Sequence, residues 1–146
     1  MISFPLFLTL WNRGQGLSTP DVHYDIAHWL EDCWNNDQRY MLLMAFRSCG
    51  KSTIVGLFCA WLLFSDPNLR ILVLAADLNL ARKMVRNVKK IIERHMLTQH
   101  LLPEKKEQWA SDSFMIKRDL ERRDPSMQAK GITANITGCR AEVIIC

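Results

Sequence analysis

The most constraining feature of this sequence is the change of pattern around residue 50. Tyr40-Met-Leu-Leu-Met-Ala-Phe46 is a short apolar run, preceded by the turn residues Asn35-Asn36-Asp37. A run so bounded suits a strand buried on both faces, as in a parallel sheet. After Gly50 the pattern becomes helical through Phe64, and Ser65-Asp66-Pro67-Asn68 ends it. The junction between strand and helix reads Ala45-Phe-Arg-Ser-Cys-Gly-Lys-Ser52. This is the phosphate-binding loop pattern, with Ala45 where its opening glycine would stand.

The chemistry of that pattern explains its residue types. Successive backbone N–H groups of Ser48, Cys49 and Gly50 would curl around an anionic phosphate, and Gly50 allows close approach. The following helix presents unpaired N–H groups and the positive end of its dipole. Lys51 would reach the β and γ phosphates of a nucleotide, and Ser52 would contact Mg²⁺ through its hydroxyl. Arg47 would stabilise charge on a transferring phosphoryl group, or else pair at the surface with a carboxylate. Cys49 reads as a small loop residue.

The rest of the chain fits an α/β alternation. Ser18, Thr19 or Asp21 would cap a helix running through Ile26, Ala27, Trp29 and Leu30 to about Cys33, with Pro20 near its first turn. Leu69–Ala76 is a second buried-strand candidate. A helix capped by Asp77 or Asn79 would then bury Leu80, Met84, Val88, Ile91, Ile92 and His95. Ser113–Lys117 and Ala141–Cys146 are further strand candidates, and Asp124-Pro125 reads as a turn. Strand, loop, helix, strand, helix predicts a parallel sheet with crossover helices.

Composition excludes several classes. The chain has 146 residues, 49% hydrophobic and 23% charged, which is neither a disordered nor a fibrous composition. Met1–Trp11 and Ile54–Phe64, the longest mostly apolar stretches, are too short for a membrane span. The N-terminal stretch does not read as a signal peptide: it has no Lys or Arg before Arg13, Pro5 interrupts it, and no small-residue cleavage site follows. The five cysteines are odd in number and widely spaced, which points to a reducing compartment rather than a disulfide scaffold or zinc site. The pairs His23/His28 and His95/His100 are each five apart, a spacing that misses a shared helical face.

Charge is unevenly placed. Residues 1–73 hold five Lys/Arg against six Asp/Glu, and residues 74–146 hold fourteen against nine. Arg82, Lys83, Arg86, Lys89, Lys90 and Arg94 face a single acid, Glu93, in the second predicted helix after the loop. Such a helix suits either backbone-tracking contact with DNA or a solvated surface.

Taken together, Ala45-Phe-Arg-Ser-Cys-Gly-Lys-Ser-Thr53, Trp61, Asp66-Pro67 and Arg70-Ile-Leu-Val-Leu-Ala75 resemble the ATPase part of the large terminase subunit of tailed bacteriophages. The late run Gly131-Ile-Thr-Ala-Asn-Ile-Thr-Gly-Cys-Arg-Ala-Glu-Val-Ile-Ile145 is similar to the segment that enters the Walker B strand in these motors. The resemblance spans nearly the whole chain and is nearest to phages with short tails and related gene-transfer particles.

It implies a P-loop NTPase (ASCE/RecA-like) sheet with flanking helices, incomplete at the C-terminus. Residues 1–38 would be an N-terminal helical, adenine-binding segment, and 39–146 a partial ATPase core ending in the Walker B strand. The implied cofactors are ATP and Mg²⁺. The implied partners are double-stranded DNA, a portal protein, a small terminase subunit and further copies in a ring, in the bacterial cytoplasm and without a membrane.

Carried over by residue, Arg47 and Lys51 would be catalytic. His23, Arg47, Ser48, Cys49, Gly50, Lys51, Ser52 and Thr53 would line the nucleotide, and Ser52 the metal. His23 stands in Pro20-Asp-Val-His-Tyr-Asp-Ile26 where the family has a glutamine that reads adenine. Val143–Cys146 match the Walker B strand, without the acids that follow it in the family. The family also places a later strand between the phosphate-loop strand and the Walker B strand, so exposed edges are expected. The same resemblance implies weak nucleotide binding and negligible turnover for this chain alone. Two alternatives carry the same residues: a superfamily-two helicase-like ATPase fragment, and a non-enzymatic prophage remnant that binds DNA.

Overall fold

The structure is a computed structural model, and it describes residues 1–105, 109–110, 112–118, 124–135 and 137–146. Ile136, within the late run noted above, lies outside them. Among the described residues, four α-helices, α1 (Phe4–Gly14), α2 (Asp21–Asn35), α3 (Lys51–Ser65) and α4 (Leu78–Arg94), are combined with four strands. The strands are β1 (Ile71–Ala75), β2 (Ser113–Phe114), β3 (Met127–Gly131) and β4 (Val143–Ile145), in the sheet order β2-β3-β1-β4. β1 is parallel to both β3 and β4, whereas β2 runs antiparallel to β3. The fold is thus α/β with a small mixed sheet, a departure from the all-parallel expectation that is confined to the edge strand β2.

The ends of the helices follow their sequences. Ser3 accepts from Leu6 N–H at the start of α1, and Asp77 accepts from Asn79 N–H at the start of α4. α2 begins after Pro20 with no side-chain cap. The apolar N-terminal stretch, which carries no clear pattern of its own, is the helix α1. It packs on α3 through Phe4 and Phe7, both fully buried, with Phe4 edge-on to Phe58 and Trp61 Nε1 donating to Ile2 O at 2.9 Å.

α3 is the central helix of the core. Ile54, Leu57, Phe58, Cys59, Ala60, Trp61, Leu62 and Leu63 are all buried, so it is covered on every side. Its approach to α4 is close: a Cβ at Gly56 would lie 2.5 Å from Asn87 Nδ2. Burial of the Cys59 thiol in this core pushes its pKa up to about 12.

α4 buries Ala81, Val85, Val88, Ile91 and Ile92, a stripe rotated from the expected one. Leu80 is 55% exposed, because small Ala81 rather than Leu80 meets the neighbouring elements. His95 is buried as expected of a structural histidine. Its ring stacks on Phe7 at 3.9 Å between centroids, Nε2 donates to Phe7 O at 3.0 Å, and Nδ1 accepts from Leu97 N–H at 3.1 Å. Burial lowers its pKa.

Two strand expectations need correction. Tyr40–Phe46 is not a strand. It keeps a strand's period of two, with Leu43 and Ala45 partly buried and Leu42, Met44 and Phe46 exposed, but it pairs with no strand of the sheet. An apolar run becomes a strand only when a neighbour takes its backbone hydrogen bonds. The second correction is β3, which was not expected. Its Met-Gln-Ala-Lys-Gly sequence has no apolar run, yet it alternates buried and half-buried positions and pairs with β1 along its full length.

Candidate functional site

The residues Ala45–Thr53 connect the unpaired Tyr40–Phe46 segment to the first turn of α3. Two residues of this loop sit in the left-handed region, Ser48 at φ 64° and Gly50 at φ 87°. Gly50 is the N-cap of α3, and no side chain caps that helix. Its first-turn N–H groups therefore lack a side-chain acceptor, while the Cys49 N–H, between the two left-handed residues, donates to Phe46 O at 3.4 Å.

Side chains reinforce the loop from two directions. Lys51 Nζ donates back to Ala45 O at 3.1 Å, which closes the loop on itself. His23 Nε2 donates to Cys49 O at 2.6 Å. A carbonyl only accepts, so Nε2 is the donor in this bond. The placement of His23 follows from its helix. His23, Ala27 and Leu30 fall four and three residues apart, and Ala27 and Leu30 are buried, so His23 shares the inward face of α2. Gly50 is needed at its position twice over, for its positive φ and because a Cβ there would lie 2.9 Å from the His23 ring.

The structure thus brings His23, Ser48, Cys49, Gly50 and Lys51 into one junction. Cys49 is buried, Lys51 is half-buried, and Arg47, Ser48, Ser52 and Thr53 are exposed. Among the described residues no carboxylate pairs with Arg47. No cluster of three or more His, Cys, Asp or Glu able to hold a metal occurs among the described residues.

A second polar group was not anticipated as a group. Arg70, just before β1, meets Glu142 with its backbone N–H at 2.9 Å and with Nη2 at 2.7 Å, and meets Asp124 with Nη1 at 3.3 Å. The hydrogen bonds from Arg70 hold the Glu142 carboxyl below its ordinary pKa, and those to Glu142 raise that of Arg70. Separations of 72 and 54 residues hide such a group from any local pattern. All five cysteines are free, and no described helix is long and apolar enough to cross a membrane.

No protein-family model matches the chain. A comparison with curated proteins finds a terminase large subunit of Enterobacteria phage T3, 34% identical over 111 residues. The match takes in 76% of this chain and 19% of that protein, so the chain spans about a fifth of the length of its relative.

Proposed function

We infer the function of this chain from the family it belongs to, the large terminase subunits of phages, and from the junction its own residues build around Gly50. The role is in phage DNA packaging, and the junction is its nucleotide site within a P-loop NTPase core. The observation that carries the reading is the uncapped start of α3 beneath a loop with two left-handed residues. An anionic phosphate is a ligand to which such N–H groups donate without a competing side chain.

Within this reading each residue has a task. The backbone N–H groups of Ser48 and Gly50 bind phosphate oxygens, and that of Cys49 exchanges its 3.4 Å bond to Phe46 O for one. Lys51 exchanges its bond to Ala45 O for the more strongly charged β and γ phosphates. Arg47, exposed and without a carboxylate partner among the described residues, is available to charge developing on the γ-phosphate. Ser52 and Thr53 stand in the first turn of α3, and the Ser52 hydroxyl would be one ligand of Mg²⁺, with phosphate oxygens and waters as others. When bound, Mg²⁺ neutralises phosphate charge. His23 holds the loop through Cys49 O, and its Nδ1 would accept from an amino group such as that of adenine.

The larger assignments follow from the same reading: duplex DNA as the polymer moved, and a portal, a small subunit and further copies of the chain as partners in the bacterial cytoplasm. The test is titration of a fluorescent ATP analogue with and without Mg²⁺. Lys51→Ala should weaken binding at least tenfold with the fold intact by circular dichroism. Unchanged binding would remove the phosphate-loop assignment.

A further inference from the structure

Six cations lie along α4, and the structure divides them into two rows. Arg82 pairs with Asp112 at 3.5 Å. Lys89 Nζ donates to Trp109 O at 2.9 Å and Ala110 O at 3.3 Å, and sits 5.3 Å from the centre of the Trp109 ring. Glu93 accepts from Trp109 Nε1 at 2.5 Å. Arg82, Lys89 and Glu93, seven and four residues apart, thus form one face of the helix, which holds Trp109, Ala110 and Asp112.

Lys83, Arg86, Lys90 and Arg94 form the other row, three, four and four residues apart. All four are exposed, and among the described residues none pairs with a carboxylate. At 3.6 residues per turn they fall within roughly 80° of arc, opposite the buried stripe of Ala81, Val85, Val88 and Ile92. The row is therefore directed away from the core.

A helix that is merely solvated gains from opposite charges four residues apart. Here Arg86–Lys90 and Lys90–Arg94 place like charges at that spacing, so the row repels itself until an anion neutralises it. The helical rise makes it about 17 Å long, the length of about five base-pair steps of duplex DNA at 3.4 Å each. No aromatic side chain interrupts the row, which suits neutralising a backbone and not stacking single-stranded bases. We propose that the Lys83–Arg86–Lys90–Arg94 row of α4 lies along the phosphate backbone of double-stranded DNA and grips it without reading its sequence. This rests on the packaging reading, which supplies the duplex.

The experiment is fluorescence anisotropy of a short duplex of arbitrary sequence, titrated with the chain at several salt concentrations. The fourfold variant K83Q/R86Q/K90Q/R94Q should bind at least tenfold more weakly at about 0.1 M salt, and the slope of log K against log[salt] should flatten by about 3 to 4, near 0.9 per lost contact. K83Q alone should flatten it by about 1. R82Q, which removes a cation already paired with Asp112, should change affinity less than twofold. Circular dichroism checks that each variant folds.

A wild-type chain that does not bind duplex at low salt overturns the proposal. So does a fourfold variant with wild-type affinity and slope, and so does one that loses binding only to an acidic polypeptide such as poly-glutamate, which would make the row a protein-docking face. Nucleotide binding measured in parallel separates the two readings. Lys51-dependent binding with no effect of the fourfold variant on DNA leaves the nucleotide reading and removes this one, and the reverse result removes only the nucleotide reading.

Discussion

The Nε2–H of His23 donates to the carbonyl oxygen of Cys49 across 2.6 Å, so the first turn of α2 holds the loop that precedes α3. His23→Ala leaves that carbonyl without its partner and the loop less ordered. A lost hydrogen bond of this kind is worth about 1 kcal/mol, so affinity for a nucleotide should fall about fivefold by titration calorimetry. His23→Gln, whose amide can donate, should recover part of it. An unchanged affinity in His23→Ala would remove the positioning role.

His95 makes stability depend on pH. Burial lowers its folded pKa below the ordinary 6.5, so between those two values the unfolded chain binds more protons than the folded one. Stability is then full above pH 6.5 and falls as the pH drops below it, with a slope approaching about 1.4 kcal/mol per pH unit for one proton. Urea unfolding at pH 7.5 and 5.5 should show this. His95→Gln, able to keep a donor toward Phe7 O, should flatten the dependence. A variant as pH-sensitive as wild type would assign the effect to another group.

Glu142 acts in a different window and fastens β4. Its carboxyl is held below the usual 4.5 mainly by the hydrogen bonds from Arg70. The stabilisation is present above pH 4.5 and is lost as the pH falls through the lower folded value. Because the pair is partly open to water, Glu142→Gln should cost about 1 kcal/mol near neutrality, and high salt should shrink the difference. A double-mutant cycle with Arg70→Gln measures the pair directly, and additive effects would show no coupling.

Cys59 should be chemically silent while the chain is folded. Its thiol is buried and its pKa is pushed up to about 12, so little thiolate exists at pH 8. Exposed Cys146 should react promptly with a thiol reagent, and Cys59 should react only after urea is added. Peptide mapping of the labelled chain reads both rates. Native labelling of Cys59 would contradict the packing of α3.

The elements set by local signals were legible in the sequence. α3 begins at Lys51 because Gly50 alone fits its N-cap, and α4 begins where Asp77 accepts from Asn79. What depends on distant partners was not legible. Tyr40–Phe46 has the composition of a buried strand but no neighbouring strand to pair with. β3 has an unpromising composition and is a strand because β1 lies beside it. The loop residues of the candidate site were identified from spacing, whereas the bond between His23 and Cys49 depends on how α2 packs. The charges of α4 were visible in the sequence, but their division into two rows depends on where Trp109 and Asp112 lie.

The pairing of β1 has a consequence for how the chain is made. Ile71 aligns with Met127 on one side and Val143 on the other. Synthesis runs from the N-terminus, so all four helices leave the ribosome before either parallel neighbour of β1 exists. For that interval Ile71–Ala75 is an apolar strand with both edges open, shielded only by the helices already formed. Closing the sheet is then a late event of high contact order, and slowed elongation after residue 94 would lengthen the exposure of β1 to chaperones and to other chains.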